Sequence, residues 1–307
     1  MEKQKTIKLD FFSICPAKES EITSVELERK VSTTFQNLPK SGTMKPLSTS
    51  DGVIIAYGDF LKKEGCVLGT LVRCQSSDIP PKINQKTHVL TPLDFSELEG
   101  LGYSSCFLFD VQAGVVVMER TSKGPSVHSF TRFFPNTIDM PKLLSSIIIN
   151  PVDVEKFYQM GHISKVHIKI AKVENGNIFK KADKKRGVLQ IMEPADDTNA
   201  GILEIRMGVK KKKESLVPEK IKGIFRDLLD FKDTEEVQIL SVVGSEDEEG
   251  SPLALDLIKQ RLVETFKTDK QRLNGDFLIM EKFHQMETLY NIHRPGILRT
   301  YKLIKNA

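Results

Sequence analysis

The sequence predicts an α+β protein of two domains, each a mainly antiparallel sheet with flanking helices. Three observations support this prediction. The chain has 307 residues, which exceeds an average single domain, so two domains are expected. Segments with the two-residue hydrophobic period of strands recur along the chain, separated by segments with a helical period. The hydrophobic fraction of 39% and the charged fraction of 28% are ordinary for a protein that buries a core.

The first half of the chain contains predicted strands and helices in alternation. The segment Thr6–Ile14 alternates apolar Ile7, Leu9 and Phe11 with other residues, which is typical of a strand. Gly52–Tyr57 and Cys66–Arg73 are predicted to be paired strands around a Lys-Lys-Glu-Gly turn. Ser105–Val111 and Val115–Glu119 are predicted to form a hairpin around Gln112-Ala113-Gly114. The predicted helices are Glu19–Leu38, Ser126–Phe134 and Pro141–Ile149. An apolar run ends at Asn150-Pro151, so we expect a first domain over residues 1–150 and a second over residues 151–307.

The second half opens with a predicted strand at Ser164–Val173, and a second strand follows at Ile202–Val209. A stripe of apolar residues predicts a helix over Pro218–Phe231. Ser251-Pro252 has the residue types of a helix start and predicts a helix over Leu253–Lys270. The remaining predicted strands are Glu236–Val243, Phe277–Met280 and Leu298–Ile304.

Composition argues against several classes of protein. No apolar run approaches the roughly 20 residues that span a bilayer, and the N-terminus lacks an apolar signal region. We therefore expect a cytoplasmic protein without direct membrane insertion. The four cysteines form no C-x-x-C pair, so we expect reduced thiols and no structural metal. No cofactor-binding motif is present either, and no cofactor is predicted.

Positive charge is concentrated in one segment. Residues 179–213 contain ten basic and five acidic residues, a net charge of +5, whereas the rest of the chain carries 35 basic and 36 acidic residues. The basic residues form two clusters, one from Lys180 to Arg186 and one from Lys210 to Lys213. A local excess of positive charge indicates an anionic partner.

The two strands that flank this segment extend the candidate surface. If they are neighbours, Lys165, Lys169 and Arg206 share one solvent face. The predicted DNA-binding residues are Lys165, Lys169, Lys180, Lys181, Lys184, Lys185, Arg186, Arg206, Lys210, Lys211, Lys212 and Lys213. Phe179 is the only aromatic residue among the clusters, so contact with the phosphate backbone of double-stranded DNA is favoured over base stacking.

Two alternatives to DNA binding are open. Asp197 and Glu204-Ile205-Arg206 loosely resemble the acidic metal site of Mg²⁺-dependent nucleases. Arg206 stands where such a site needs lysine, and Asp197 has the residue type of a turn before a strand, so we predict no catalytic residues. The second alternative is a non-enzymatic adaptor that binds another protein, whose lysine clusters are only solvated.

A family resemblance agrees with the DNA-binding interpretation. The hairpin Ser105–Val111 and Gly114–Ser126 resembles that of the RexA-like prophage exclusion proteins, in which a Phe-Leu-Phe strand leads into an Arg-Thr…Gly-Pro turn and a helix. Lys165–Ile170 resembles the strand that opens the second half of those proteins, and the lysine run near Lys210 has a counterpart there. Ile7–Phe12 is also similar to a wider group of phage and prophage proteins.

The resemblance implies a two-domain homodimer that binds double-stranded DNA with little sequence preference and acts in phage exclusion or anti-phage defence. It implies no catalytic residue. A fainter similarity of size and layout links the chain to the DNA-binding B subunit of the two-gene Kiwa defence system. That similarity would imply a membrane protein as a partner.

Overall fold

The structure is a computed structural model with an α+β fold. It describes residues 5–16, 26, 29–31, 33, 46–49, 53–63, 65–96, 99–137, 142–171, 198, 200–211, 213–229, 237–268 and 275–306. Its sheets are largely antiparallel and carry flanking helices, so the predicted fold class is confirmed. The chain divides into two compact units, of which unit 1 comprises Met1–Ser145 and Glu264–Tyr290, and unit 2 comprises Ser146–Val263 and Asn291–Ala307. The prediction placed one boundary near residue 150, whereas the chain returns to unit 1 after residue 263.

Unit 1 is built around an eight-stranded sheet in the order β14-β1-β8-β7-β4-β3-β2, with β9 also paired to β1. Its strands are β1 (Lys5–Pro16), β2 (Leu47–Ser48), β3 (Ile54–Lys63), β4 (Cys66–Gln75), β7 (Leu101–Asp110), β8 (Val115–Glu119), β9 (Leu143–Ile147) and β14 (Val263–Thr268). A separate two-stranded sheet is formed by β5 (Lys82–Ile83) and β6 (Leu90–Thr91). The predicted hairpins β3–β4 and β7–β8 are both present.

One face of the unit 1 sheet is covered by helix α1 (Val127–Thr137). Alternation along β7 turns Phe107 and Phe109 toward this helix, where their rings pack against Phe130 and Phe134. All four rings are fully buried. Burying aromatic side chains is a large favourable contribution to folding, so this cluster is the centre of the unit 1 core.

Unit 2 is built around a second sheet with flanking helices. The four-stranded sheet has the order β11-β10-β12-β13 and is antiparallel throughout. Its strands are β10 (His162–Ala171), β11 (Ile202–Gly208), β12 (Val237–Ser245) and β13 (Leu253–Asp256). The helices α2 (Pro151–Gln159) and α3 (Pro218–Leu229) belong to the same unit, and α4 (Gly275–Asn306) contributes its residues to both units.

The core of unit 2 lies between one face of this sheet and the helices α2 and α3. Val166, Ile168 and Ile170 of β10 are buried together with Phe157 of α2 and Phe225 of α3. The last two rings stack with centroids 4.9 Å apart. Helix α2 starts at Asn150, whose side chain accepts a hydrogen bond from the Val152 N–H and caps the helix.

Three predictions in the last quarter of the chain are wrong. The helix predicted at Leu253–Lys270 is instead β13, a turn and β14. The strands predicted at Phe277–Met280 and Leu298–Ile304 both lie in α4. Short apolar runs fit either period, and Ser251-Pro252 here precedes the edge strand β13 rather than a helix, so this dipeptide did not discriminate between them.

Two further helix predictions have different outcomes. The segment predicted as a helix at Pro141–Ile149 contains β9, so that prediction is also wrong. Of the helix predicted at Glu19–Leu38, residues 26, 29–31 and 33 are helical and the remainder lies outside the described residues.

Candidate nucleic-acid interface

The candidate interface is the face of the unit 2 sheet that points away from α2 and α3. Strands β10 and β11 are antiparallel neighbours, which was the condition for a shared face of lysines and Arg206, and His167 lies opposite Arg206 and Lys169 opposite Glu204. Residues directly opposite each other in a ladder point to the same face. Because Val166, Ile168 and Ile170 point into the core, the residues between them point outward. Lys165, Lys169 and Arg206 therefore share one face.

Strand β12 extends this outward face on the other side of β10. Ser241 lies opposite His167, and Val243 lies opposite Lys165. We call the outward-pointing residues of β10, β11 and β12 the open sheet face; its described members include Lys165, His167, Lys169, Glu204, Arg206, Gly208, Ser241 and Val243. Antiparallel sheets commonly have one face on the core and one face in solvent, and this sheet follows that arrangement.

Glu204 holds two of the basic side chains of the open sheet face. Its Oε1 accepts hydrogen bonds from Arg206 Nη2 at 2.6 Å and Nε at 3.0 Å. The same oxygen lies 2.9 Å from His167 Nε2. The Arg206 hydrogen bonds, and then that of His167, lower the pKa of the Glu204 carboxyl below its ordinary value. The carboxylate thus offsets part of the positive charge of Arg206 and joins both side chains in one hydrogen-bonded group.

The two lysines of β10 have no such partner. No hydrogen bond or ion pair joins the side chain of Lys165 or Lys169 to another described residue. Lysine side chains with a free ammonium group can turn toward an incoming anion at low cost in lost interactions. These two side chains are therefore the most available cations of the open sheet face.

Three lysines of the second cluster continue from the end of β11. Lys210, Lys211 and Lys213 are exposed, and the Lys211 N–H donates a hydrogen bond to Glu214 Oε2. The first of them follows Val209, whose N–H donates to the Ser164 carbonyl and fastens this end of β11 to β10. Six predicted residues lie outside the described part of the chain: Lys180, Lys181, Lys184, Lys185, Arg186 and Lys212.

The direction of the strands separates the two ends of the face. Gly208, at the end of β11, lies opposite Lys165, whereas Ala171, at the end of β10, lies opposite Ile202. Lys210 therefore lies near the edge of the sheet that contains Lys165. The chain leaves β10 at the opposite edge, near Lys169. Antiparallel pairing places successive strand ends at opposite edges of a sheet.

The open sheet face also contains a cavity that the sequence did not predict. Its volume is about 520 Å³, and its lining includes Lys165, His167, Arg206, Gly208, Ser241 and Val243. These residues come from three strands, and only the register of the sheet brings them together. Gly208 within a strand was the one signal in the sequence, since such a glycine often marks a site of close approach.

The described residues give no support to a metal-dependent nuclease. Asp197 lies outside the described residues, and the Glu204 carboxylate is engaged by Arg206 and His167. No group of three or more His, Cys, Asp or Glu side chains that could hold a metal occurs among the residues described. A nuclease built on Asp197 and Glu204 stays an untested alternative.

The cysteines are free thiols in this structure. Cys106 is buried, and burial raises the pKa of its thiol far above the ordinary value, with the nearby Glu119 carboxylate acting in the same direction. A thiol that resists deprotonation is a poor nucleophile, so Cys106 is a core residue rather than a reactive group.

None of the helices described here is both long enough and apolar enough to cross a membrane. In comparisons with known proteins, residues 2–291 match the model of a family described as "Family of unknown function (DUF6731)". The match covers nearly the whole chain, and the chain belongs to this family. No curated protein matches it.

Proposed function

We propose that this member of the DUF6731 family binds double-stranded DNA with little sequence preference. The observation that carries the proposal is the open sheet face, where Lys165 and Lys169 lie beside Arg206 and the exposed Lys210, Lys211 and Lys213 continue from β11. Each lysine or arginine that neutralises a phosphate releases condensed counterions and so contributes to affinity.

The spacing of the two lysines on β10 suits a chain of phosphates. Lys165 and Lys169 are four residues apart on one strand, a distance of about 13 Å at the usual rise of a strand. Double-stranded DNA carries one negative charge per roughly 1.7 Å of its axis. The two ammonium groups can therefore address different phosphates of one duplex at the same time.

The composition of the face favours backbone contact over base recognition. His167 provides the only ring among the described residues of β10, β11 and β12 that point outward. Binding single-stranded nucleic acid generally depends on aromatic side chains on which bases stack. Contacts to phosphate carry no direct sequence information, which is the basis for proposing little sequence preference.

The biological role in the proposal comes from the resemblance to the RexA-like prophage exclusion proteins. On that basis the protein acts in the cytoplasm as a homodimer in phage exclusion or anti-phage defence. The fainter similarity to the B subunit of the Kiwa system adds a membrane protein as a candidate partner. The proposed role needs no cofactor, because holding phosphates requires only charge and hydrogen-bond donors.

A salt titration with charge variants tests the proposal. We expect the logarithm of the affinity for a duplex of about 20 base pairs to fall linearly with the logarithm of salt concentration. In the double variant Lys165→Gln/Lys169→Gln, the magnitude of this slope should decrease by about 1.8, because two phosphate contacts are lost. Fluorescence anisotropy of a labelled duplex measures both quantities.

A second variant tests the part played by Glu204. Glu204→Gln removes a negative charge from the open sheet face and releases Arg206 from its ion pair, so we expect tighter DNA binding and a steeper salt dependence. The matched control is Glu219→Gln, because Glu219 is an exposed carboxylate on α3, the helix behind the sheet. That control should leave the affinity nearly unchanged.

The outcomes separate DNA binding from the adaptor alternative. Absence of binding at low salt, or an affinity that does not change with salt, would overturn the proposal. If the double lysine variant binds DNA with an unchanged salt dependence, the DNA interface lies elsewhere than on the open sheet face. An adaptor without DNA affinity would give the first of these results.

A further inference from the structure

The cavity on the open sheet face has the size and the lining of a small-molecule site. Ligand pockets typically have volumes of about 300–1,000 Å³, and this cavity has a volume of about 520 Å³. Most such pockets combine apolar surface with a few polar groups that fix the orientation of the ligand. Here Val243 provides apolar surface, while Lys165 and Ser241 provide an ammonium and a hydroxyl group.

The strand register explains why the cavity is open. Gly208 lies directly opposite Lys165 in the ladder between β11 and β10. A Cβ atom built on Gly208 would lie 3.6 Å from the Ser164 carbonyl oxygen and 3.8 Å from Lys165 Cγ, which are ordinary contacts. The backbone therefore tolerates a side chain at this position, and a large one would occupy the space that the glycine leaves free.

The polar groups of the cavity are also arranged before any ligand binds. Glu204 holds Arg206 and His167 with the same carboxylate oxygen, at 2.6 Å and 2.9 Å. Both of these side chains line the cavity, together with Lys165, which has no described partner. Two cations thus lie beside an imidazole ring that is hydrogen-bonded to Glu204. Groups that already share hydrogen bonds lose less freedom when a ligand binds.

We propose that this cavity binds one nucleotide, with the phosphate held by Lys165 and Arg206 and the base placed against His167 and Val243. The nucleotide is either free or the terminal nucleotide of a DNA strand, because both present the same phosphate and base. The inference rests on the proposed function to the extent that the cavity lies on the proposed DNA-binding face. It adds a site for a single nucleotide, which binding to the duplex backbone does not require.

Substitution of Gly208 tests the site without changing any charge. In Gly208→Leu the new side chain fills the cavity, and we expect the affinity for a fluorescent derivative of 2′-deoxyadenosine 5′-monophosphate to fall by about ten-fold or more. Deoxyadenosine without phosphate should bind the unmodified protein much more weakly. The matched control is Gly223→Leu on α3, where an added Cβ meets no atom within 4 Å, and it should bind the nucleotide normally.

A second variant guards against a folding defect. Ser241→Leu fills the same cavity from β12, and circular dichroism and thermal melting establish whether each variant is folded. Loss of nucleotide binding in every one of these two variants that folds supports the site. Unchanged nucleotide binding in either folded variant, or no nucleotide binding by the unmodified protein, overturns it.

Duplexes with different ends distinguish the two sources of the nucleotide. If the site holds a strand end, a duplex with a 5′-phosphorylated single-stranded overhang binds more tightly than the same duplex with a blunt 5′-hydroxyl end, and Gly208→Leu removes the difference. If only the free nucleotide binds, the ends have no effect. Gly208→Leu could retain both salt-dependent duplex binding and normal nucleotide binding. That result would refute the nucleotide site alone and would not contradict the proposed function.

Discussion

Glu119 and Lys282 form an ion pair inside unit 1, and both side chains are almost completely buried. Lys282 Nζ donates to the two carboxylate oxygens of Glu119 at 2.8 and 2.9 Å, and the Cys106 N–H donates to Glu119 Oε2 at 3.2 Å. In the same unit, the buried Tyr290 hydroxyl donates to Asp110 Oδ2 at 2.7 Å. Buried charges are tolerated only when they are paired and hydrogen-bonded, so each partner depends on the other.

Lys282→Met should destabilise the protein by about 3–5 kcal/mol, because it leaves the Glu119 carboxylate buried without a compensating charge. Chemical denaturation followed by circular dichroism measures the change in the free energy of unfolding.

The control for this substitution is the double variant Glu119→Gln/Lys282→Met. The neutral amide oxygen can still accept from the Cys106 N–H, so the double variant should recover much of the lost stability. A double variant that is less stable than Lys282→Met alone would contradict the interpretation.

At the scale of the elements, the pairing of β4 with β7 depends on a glycine. Gly69 lies opposite Phe107 in the ladder, and a Cβ atom at Gly69 would lie 2.7 Å from Phe107 Cζ and 2.8 Å from Phe60 Cε1. Phe107 is fully buried in the aromatic cluster under α1. The ring occupies the space that a side chain at Gly69 would need, so the glycine is part of the packing.

Gly69→Ala should therefore destabilise the protein by about 1–3 kcal/mol, the usual cost of overpacking a core. The matched control is Gly102→Ala on β7, where the nearest atom to an added Cβ is Val72 Cγ1 at 3.4 Å. That substitution should be nearly neutral or slightly stabilising, because glycine weakens a strand. Equal losses of stability in the two variants would show that the Phe107 contact is not the cause.

At the scale of the whole molecule, each unit is assembled from two separate stretches of the chain. Unit 1 needs Glu264–Tyr290 in addition to the N-terminal stretch. That second stretch supplies β14, which pairs with β1, and the Lys282 and Tyr290 side chains that bind Glu119 and Asp110. The core of unit 1 therefore cannot be completed by the first half of the chain alone.

A fragment of residues 1–150 should fail to fold, because it lacks β14 and leaves the Glu119 carboxylate without Lys282. A two-dimensional amide NMR spectrum of the fragment should show the narrow dispersion of an unfolded chain, whereas the full-length protein should show wide dispersion. A well-dispersed spectrum from residues 1–150 would show that the first half is an independent domain after all.

The sequence by itself determined those elements in which hydrophobic residues recur with one period, helical or strand-like, up to a clear turn. The hairpins β3–β4 and β7–β8, the strands β10 and β11, and the helices α1 and α3 were all predicted, because alternation and the apolar stripe are local properties. The outward direction of Lys165, Lys169 and Arg206 followed from the same alternation, once the two strands were taken as neighbours.

Only the tertiary structure decided the rest. Several predictions from residue 253 onward were wrong, because short apolar runs fit both the helical and the strand period. In α4 it is the burial of Phe283, Met286 and Tyr290 along one side that identifies the helix. Likewise, the ion pair of Glu204 with Arg206 depends on side-chain conformation, and the cavity of the open sheet face depends on the register of three strands. The local sequence determines the face of the sheet to which a strand residue points. The contacts of that side chain depend on residues that are distant in the sequence.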